Sequence, residues 1–173
     1  MHWKCIYTRH ANRCKPDASN GDFTIKLTLH TDYALRILMQ AAANPGVRLS
    51  IADVAERHGI SRNHLMKVVN QLATMGLVDT VRGRGGGFWL AEDPGSITLG
   101  DVVRQTEPGM QAADCGNCVL KRGCGLTPIL GDAMDAFLAV LDRTTLADAV
   151  ERNARSFFAP DANAPVKEPL SEA

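Results

Sequence analysis

The sequence predicts a mainly α fold with one small β-hairpin: a winged helix-turn-helix followed by a long C-terminal helix suited to dimerisation. Three observations predict it. Apolar residues recur at three- and four-residue steps in segments opened by Ser or Thr. A basic, glycine-rich turn, Arg82-Gly-Arg-Gly-Gly-Gly87, separates two short strand-like stretches, Leu77-Val-Asp-Thr-Val81 and Phe88-Trp-Leu90. Late in the chain, Leu130, Met134, Phe137 and Leu141 step by four, three and four, an apolar seam in want of a partner.

Taken in order, residues 1–24 carry no helical or strand period and read as a disordered arm or a misassigned translation start. Cys5 and Cys14 lie there without metal-ligand spacing. A first helix is expected from a cap at Thr28 or Thr31, with Ala34, Leu35, Leu38, Met39 and Ala42 as its stripe and Asn44-Pro45-Gly46 as its stop. Asp32 falls in its first turn, where the helix dipole favours an acid. Ser50 opens a second short helix that ends at His58-Gly59. Ser61 opens a third, whose inward stripe is Leu65, Val68, Val69 and Leu72. The hairpin follows and completes a winged unit spanning residues 25–95. Thr98 begins a further short helix, residues 96–127 carry it into a cysteine-rich loop, and Pro128 suits the start of a dimerisation helix over residues 128–152. Residues 153–173 read as a flexible tail.

A length of 173 residues with 45% hydrophobic residues is enough for one core plus an arm or tail. No apolar run approaches the roughly 18 residues of a membrane span, and no apolar stretch of a secretory signal opens the chain. A cytoplasmic protein is expected. In a reducing compartment, five cysteines argue for metal or redox chemistry rather than a disulfide framework.

Formal net charge is +0, so any footprint for nucleic acid must be local. Arg57, Arg62, Lys67, Arg82 and Arg84 face a single acid, Asp79, between residues 57 and 84. The third helix offers Ser61, Arg62, Asn63, His64 and Lys67 on its outer side. Arg and Asn can read guanine and adenine edges, while Ser and Lys more often take phosphates. Arg82 and Arg84 sit on a hairpin thin enough for a minor groove. These seven residues are the expected contacts to double-stranded promoter DNA. The glycine run lacks the Lys-Ser/Thr pair and the strand-to-helix setting of a phosphate-binding loop.

Cys115, Cys118 and Cys124 fall within ten residues among glycines, so their sulfurs can converge on one soft metal centre. Three ligands leave one position open or supplied from elsewhere. Three unrelated cysteines, a Cys115/Cys118 redox dithiol and a zinc site are the alternatives to an iron–sulfur cluster. Spacing alone does not decide between cluster and zinc.

Leu27-Thr-Leu-His-Thr-Asp-Tyr-Ala-Leu-Arg36, Gly59-Ile-Ser-Arg-Asn-His-Leu-Met-Lys-Val68, Val81-Arg-Gly-Arg-Gly-Gly-Gly-Phe88 and Ile97-Thr-Leu-Gly-Asp-Val-Val-Arg104 resemble the IscR/NsrR family of iron–sulfur winged-helix repressors. Ser61-Arg-Asn-His64, Asn70-Gln-Leu72 and Thr145-Leu-Ala-Asp148 look most like its nitric-oxide-sensing branch. The resemblance implies a homodimer whose cluster is held by Cys115, Cys118 and Cys124 and by a non-cysteine ligand. Asp32 matches the position of an aspartate that serves the partner subunit's cluster. The two-residue gap between Cys115 and Cys118 is shorter than the family's usual gap, which bears on cluster type.

The function implied is repression of nitric oxide detoxification genes, released when nitric oxide attacks a 4Fe–4S cluster. An IscR-like regulator of cluster assembly or redox response, with 2Fe–2S, is the alternative within the class. A small iron–sulfur electron carrier is the alternative outside it, and leaves the winged unit unexplained. No enzyme activity is expected.

Overall fold

The computed structural model describes residues 26–107, 109–110, 113, 118–120 and 123–152. The arm at 1–24, Cys5, Cys14, Cys115 and the tail at 153–173 lie outside the described residues. The described residues form six helices and one hairpin: α1 (Leu29–Ala42), α2 (Ile51–His58), α3 (Arg62–Thr74), β1 (Val78–Val81), β2 (Gly87–Leu90), α4 (Leu99–Thr106), α5 (Leu126–Asp142) and α6 (Leu146–Arg152). The predicted class, mainly α with a small hairpin, is the class observed.

Caps place the helices. Thr28, Ser50, Ser61 and Thr98 each accept a hydrogen bond from a backbone N–H in the first turn, satisfying donors a helix start leaves open. Gly59 ends α2 in the left-handed conformation, at φ 65°. That tight turn sets α3 against α2. Behind them, Ile37, Leu38, Leu65, Leu72, Phe88, Val102 and Leu146 are wholly buried in one core. Each such side chain contributes about 1.5–3 kcal/mol relative to exposure.

β1 and β2 pair antiparallel in the register Val78 with Leu90, Asp79 with Trp89, Thr80 with Phe88 and Val81 with Gly87. A third piece joins them. Leu49, just before α2, exchanges backbone bonds with Phe88 at 2.8 and 3.0 Å. A Cβ on Gly87 would run into the Leu49 carbonyl, so this close approach requires glycine. The wing is thereby tied to the start of the helix-turn-helix.

The segment expected as one helix over 128–152 is two. α5 starts at Leu126, two residues before Pro128, because a proline in a first turn leaves no needed N–H unsatisfied. It stops at Asp142. Thr145 and Asp148 then form a reciprocal cap, Thr145 N–H to Asp148 Oδ2 at 2.9 Å and Asp148 N–H to Thr145 Oγ1 at 3.1 Å. This opens α6, which turns back and buries Leu146 and Val150 under α1. Leu99 N–H bonds Thr144 O and Leu146 N–H bonds Ile97 O, so the α5–α6 turn is stitched to the entry of α4. None of the seventeen residues of α5 is buried.

Candidate DNA interface and metal centre

The outer side of α3 is what its caps and stripe dictate. Leu65, Val68, Val69 and Leu72 are buried, and Ser61, Arg62, Asn63, His64 and Lys67 are left exposed. Ser61 Oγ is partly committed, since it accepts the His64 N–H at 3.3 Å. Arg82 and Arg84 stand exposed on the wing turn, where Gly83 and Gly85 take positive φ. All seven residues expected to meet DNA are solvent-facing.

Between α3 and the wing runs an open cleft of about 560 Å³, whose lining includes Ser50, Met66, Asn70, Thr80, Val81 and Arg82. Sequence reasoning missed Met66, Asn70 and Thr80. Met66 is 43% exposed although apolar, because it lies between the buried positions 65 and 68 on the other side of the helix. The helical period itself carried that signal.

The cysteine loop joins α4 to α5. Cys118 is exposed and Cys124 is partly exposed. Cys124 stands at the entry to α5. The Leu126 backbone N–H, then the Thr127 hydroxyl and Thr127 N–H, hold its thiol below the ordinary value. Free N–H groups at a helix start favour a thiolate, the form that binds metal. This donor fits a soft metal centre. The described residues contain no group of three His, Cys, Asp or Glu side chains placed to hold an ion, and Cys115 is outside them.

Asp32 is in the first turn of α1, with its side chain 37% exposed. Its carboxylate accepts two bonds from Arg36 one turn later, Nε to Oδ1 at 2.9 Å and Nη2 to Oδ2 at 2.7 Å. Nearby, His58 of α2 pairs with Gln40 of α1 at 2.7 Å. Burial, with help from Arg36 and Arg57, keeps the His58 pKa below its ordinary value. Hence α1 links the acid of its first turn to the helix-turn-helix.

The N-terminus of α1 is closed by a residue sequence reasoning did not single out. Glu107, immediately after α4, accepts the Thr28 N–H at 3.1 Å, the Thr28 hydroxyl at 3.1 Å and the Thr31 hydroxyl at 2.5 Å. Burial works to raise its pKa. The bonds from Thr31 and Thr28 outweigh it and hold the carboxyl below its ordinary value. Three residues before Glu107, in the last turn of α4, Arg104 forms a two-bond pair with Asp142 at 2.5 and 2.7 Å that fastens the end of α5.

The sequence profile of the Rrf2 family, described as an iron-dependent transcriptional regulator, matches residues 27–152. The chain belongs to the Rrf2 family. As a member it is a DNA-binding transcriptional regulator and not an enzyme. It is 47% identical over 133 residues to the HTH-type transcriptional regulator NsrR of Bacillus subtilis, spanning 73% of this chain and 91% of that one. It is 42% identical over 132 residues to NsrR of Bacillus licheniformis, spanning 73% and 92%. Among solved structures it resembles the Rrf2-type cysteine regulator CymR of B. subtilis, with TM-score 0.61, 28% identity, and coverage of 76% and 100%. IscR of T. potens is equally similar, with TM-score 0.61, 28% identity, and coverage of 76% and 90%. Membership in the Rrf2 family implies, in general terms, an iron–sulfur centre. Among the described residues no helix is long and apolar enough to cross a membrane.

Proposed function

We propose that this Rrf2 regulator is a homodimeric repressor that senses nitric oxide through an iron–sulfur cluster. The observation that carries the reading is its likeness to NsrR, 47% identical over 133 residues that take in the reader, the wing and the cysteine loop. Cys115, Cys118 and Cys124 would hold the cluster with Asp32 of the partner subunit, and a 4Fe–4S centre is the expected type. When bound, the cluster supplies the site at which nitric oxide reacts. The protein's own residues do the rest. Leu126 and Thr127 favour the thiolate form of Cys124 by lowering its pKa. Asp32, held here by Arg36, would be the carboxylate ligand given to the partner's cluster, with Arg36 as its alternative partner. Because α1 also carries Gln40, the partner of His58 on α2, a shift in its first turn bears on the helix-turn-helix.

Ser61, Arg62, Asn63, His64 and Lys67 would meet the major groove, and Arg82 and Arg84 the minor groove. The apolar exposed residues of α5, including Leu126, Ile129, Phe137 and Val140, would pack on a second copy. The experiment is iron and acid-labile sulfide per chain on anaerobically purified protein, with the visible spectrum and promoter binding followed during nitric oxide addition. About four of each per chain, bleached with loss of DNA binding, supports the proposal. About two per chain with a redox response favours the IscR-like reading. Zinc without sulfide would overturn both.

A further inference from the structure

We propose that Glu107 is a positioning residue for Asp32, and that through it the two cluster sites of a dimer respond together. The proposal rests on the cluster reading above. Its structural basis is the unusual way α1 is capped. In a reciprocal cap, a Ser or Thr at the helix start accepts from the third helical residue, and an acid at that third position accepts from the start. α6 is built so from Thr145 and Asp148, three residues apart. In α1 the start is Thr28, but the third position is Thr31, which carries no carboxylate. Glu107 supplies it from 79 residues away, accepting both the Thr28 N–H and hydroxyl. Thr31, the other donor to Glu107, is wholly buried and adjoins Asp32.

Two consequences follow from where Glu107 sits. First, with the cap completed from outside, the Asp32 carboxylate is not needed by the N–H groups of its own helix. It stays partly exposed against Arg36 and available to an external ligand. Second, Glu107 is the C-cap of α4, its N–H bonded to Val103 O at 2.8 Å, and in sequence it opens the stretch that leads to Cys115. The root of a chain's own cysteine loop and the turn bearing its Asp32 are therefore one clamped unit. If that Asp32 serves the partner's cluster, strain in one loop reaches the ligand of the other cluster through three bonds to a single carboxylate.

The test uses the full-length protein with Glu107→Gln and Glu107→Ala, and Asp148→Ala as a capping control remote from the loop. In cluster-free protein, amide exchange over residues 29–32 is expected to quicken about tenfold in the Glu107 variants and not in Asp148→Ala. Unchanged exchange would overturn the clamp. In reconstituted protein, iron loss to a chelator is expected to be about tenfold faster for Glu107→Gln than for wild type, the scale on which residues behind metal ligands act. In an Asp32→Ala background the same substitution should add nothing. Equal acceleration in both backgrounds would overturn the positioning role and leave Glu107 a stabilising cap only. Wild-type iron loss that accelerates once the first cluster of a dimer is gone, and that Glu107→Gln returns to a single exponential, is the expected sign of coupling; a single exponential already in wild type would refute it. Absence of any cluster in wild type would sink the cluster reading itself, a result distinct from each of these.

Discussion

The winged unit and α5 solve the burial of apolar side chains in opposite ways. In the winged unit the stripes of α1 and α3 and the wing residue Phe88 close on one another, and Ile37, Leu38, Leu65 and Phe88 have no exposure at all. α5 is no less apolar, yet Ile129 is 62% exposed, Val140 55% and Phe137 37%. The same chemistry is thus internal in one region and turned outward in the other. An apolar helical face left open along its length is the kind of surface that a partner covers. The difference teaches that the reader closes its core within this chain, whereas α5 keeps an open apolar face that the proposed second copy would cover.

The sharpest way to break the comparison is to cut into both. Phe88→Ala should cost about 3–5 kcal/mol, read as a fall in denaturant midpoint, because it empties the point where Leu49, the wing and the core meet. Phe137→Asp should leave that midpoint almost unmoved when measured on monomer. It should instead raise the dimer dissociation constant by at least about tenfold in sedimentation equilibrium. A large loss of monomer stability from Phe137→Asp, with the dimer intact, would erase the distinction.

Smaller effects sharpen it. Ser61→Ala removes the bond to the His64 N–H and should cost about 1 kcal/mol of stability, with a loss of promoter affinity because α3 frays where it reads. Arg82→Ala should weaken promoter binding most at sites with a narrow, A·T-rich minor groove, and reduce the salt slope by about one. The smallest effect is in acid. The carboxyl of Glu107 lies below its ordinary value in the folded protein. Its contribution is therefore full above the unfolded pKa and is lost as pH falls through the folded one. Melting curves taken downward from about pH 6 should show a gentler acid limb for Glu107→Gln than for wild type, with the two meeting at the acid end.

What could be read from residues alone was what neighbours in sequence decide. Ser50, Ser61 and Thr98 announce helices because a cap acts within its own first turn, and Gly59 announces the turn between α2 and α3. The break between α5 and α6 was also written locally, in Thr145-Leu-Ala-Asp148, but the even steps from Leu130 to Leu141 invited one long helix. Features set by distant partners were not legible. Nothing near Leu49 indicates that Phe88 will pair with it, and nothing near Glu107 points to Thr28. The seven outward residues of the reader followed from helical period and hairpin placement. For the proposed metal centre the three thiols could be named from their spacing, but Cys115 lies outside the described residues.

Because α1 packs on α4 and α6 as well as α3, the earliest of the described helices to leave the ribosome waits longest for its full complement of neighbours. Leu146 and Val150, which cover it, are made only after the reader, the wing and the cysteine loop. During that interval the apolar stripe of α1 is presented to chaperones and to other nascent chains. A chain cut ahead of Leu146 would keep all seven residues of the proposed DNA contact and leave α1 without its α6 cover.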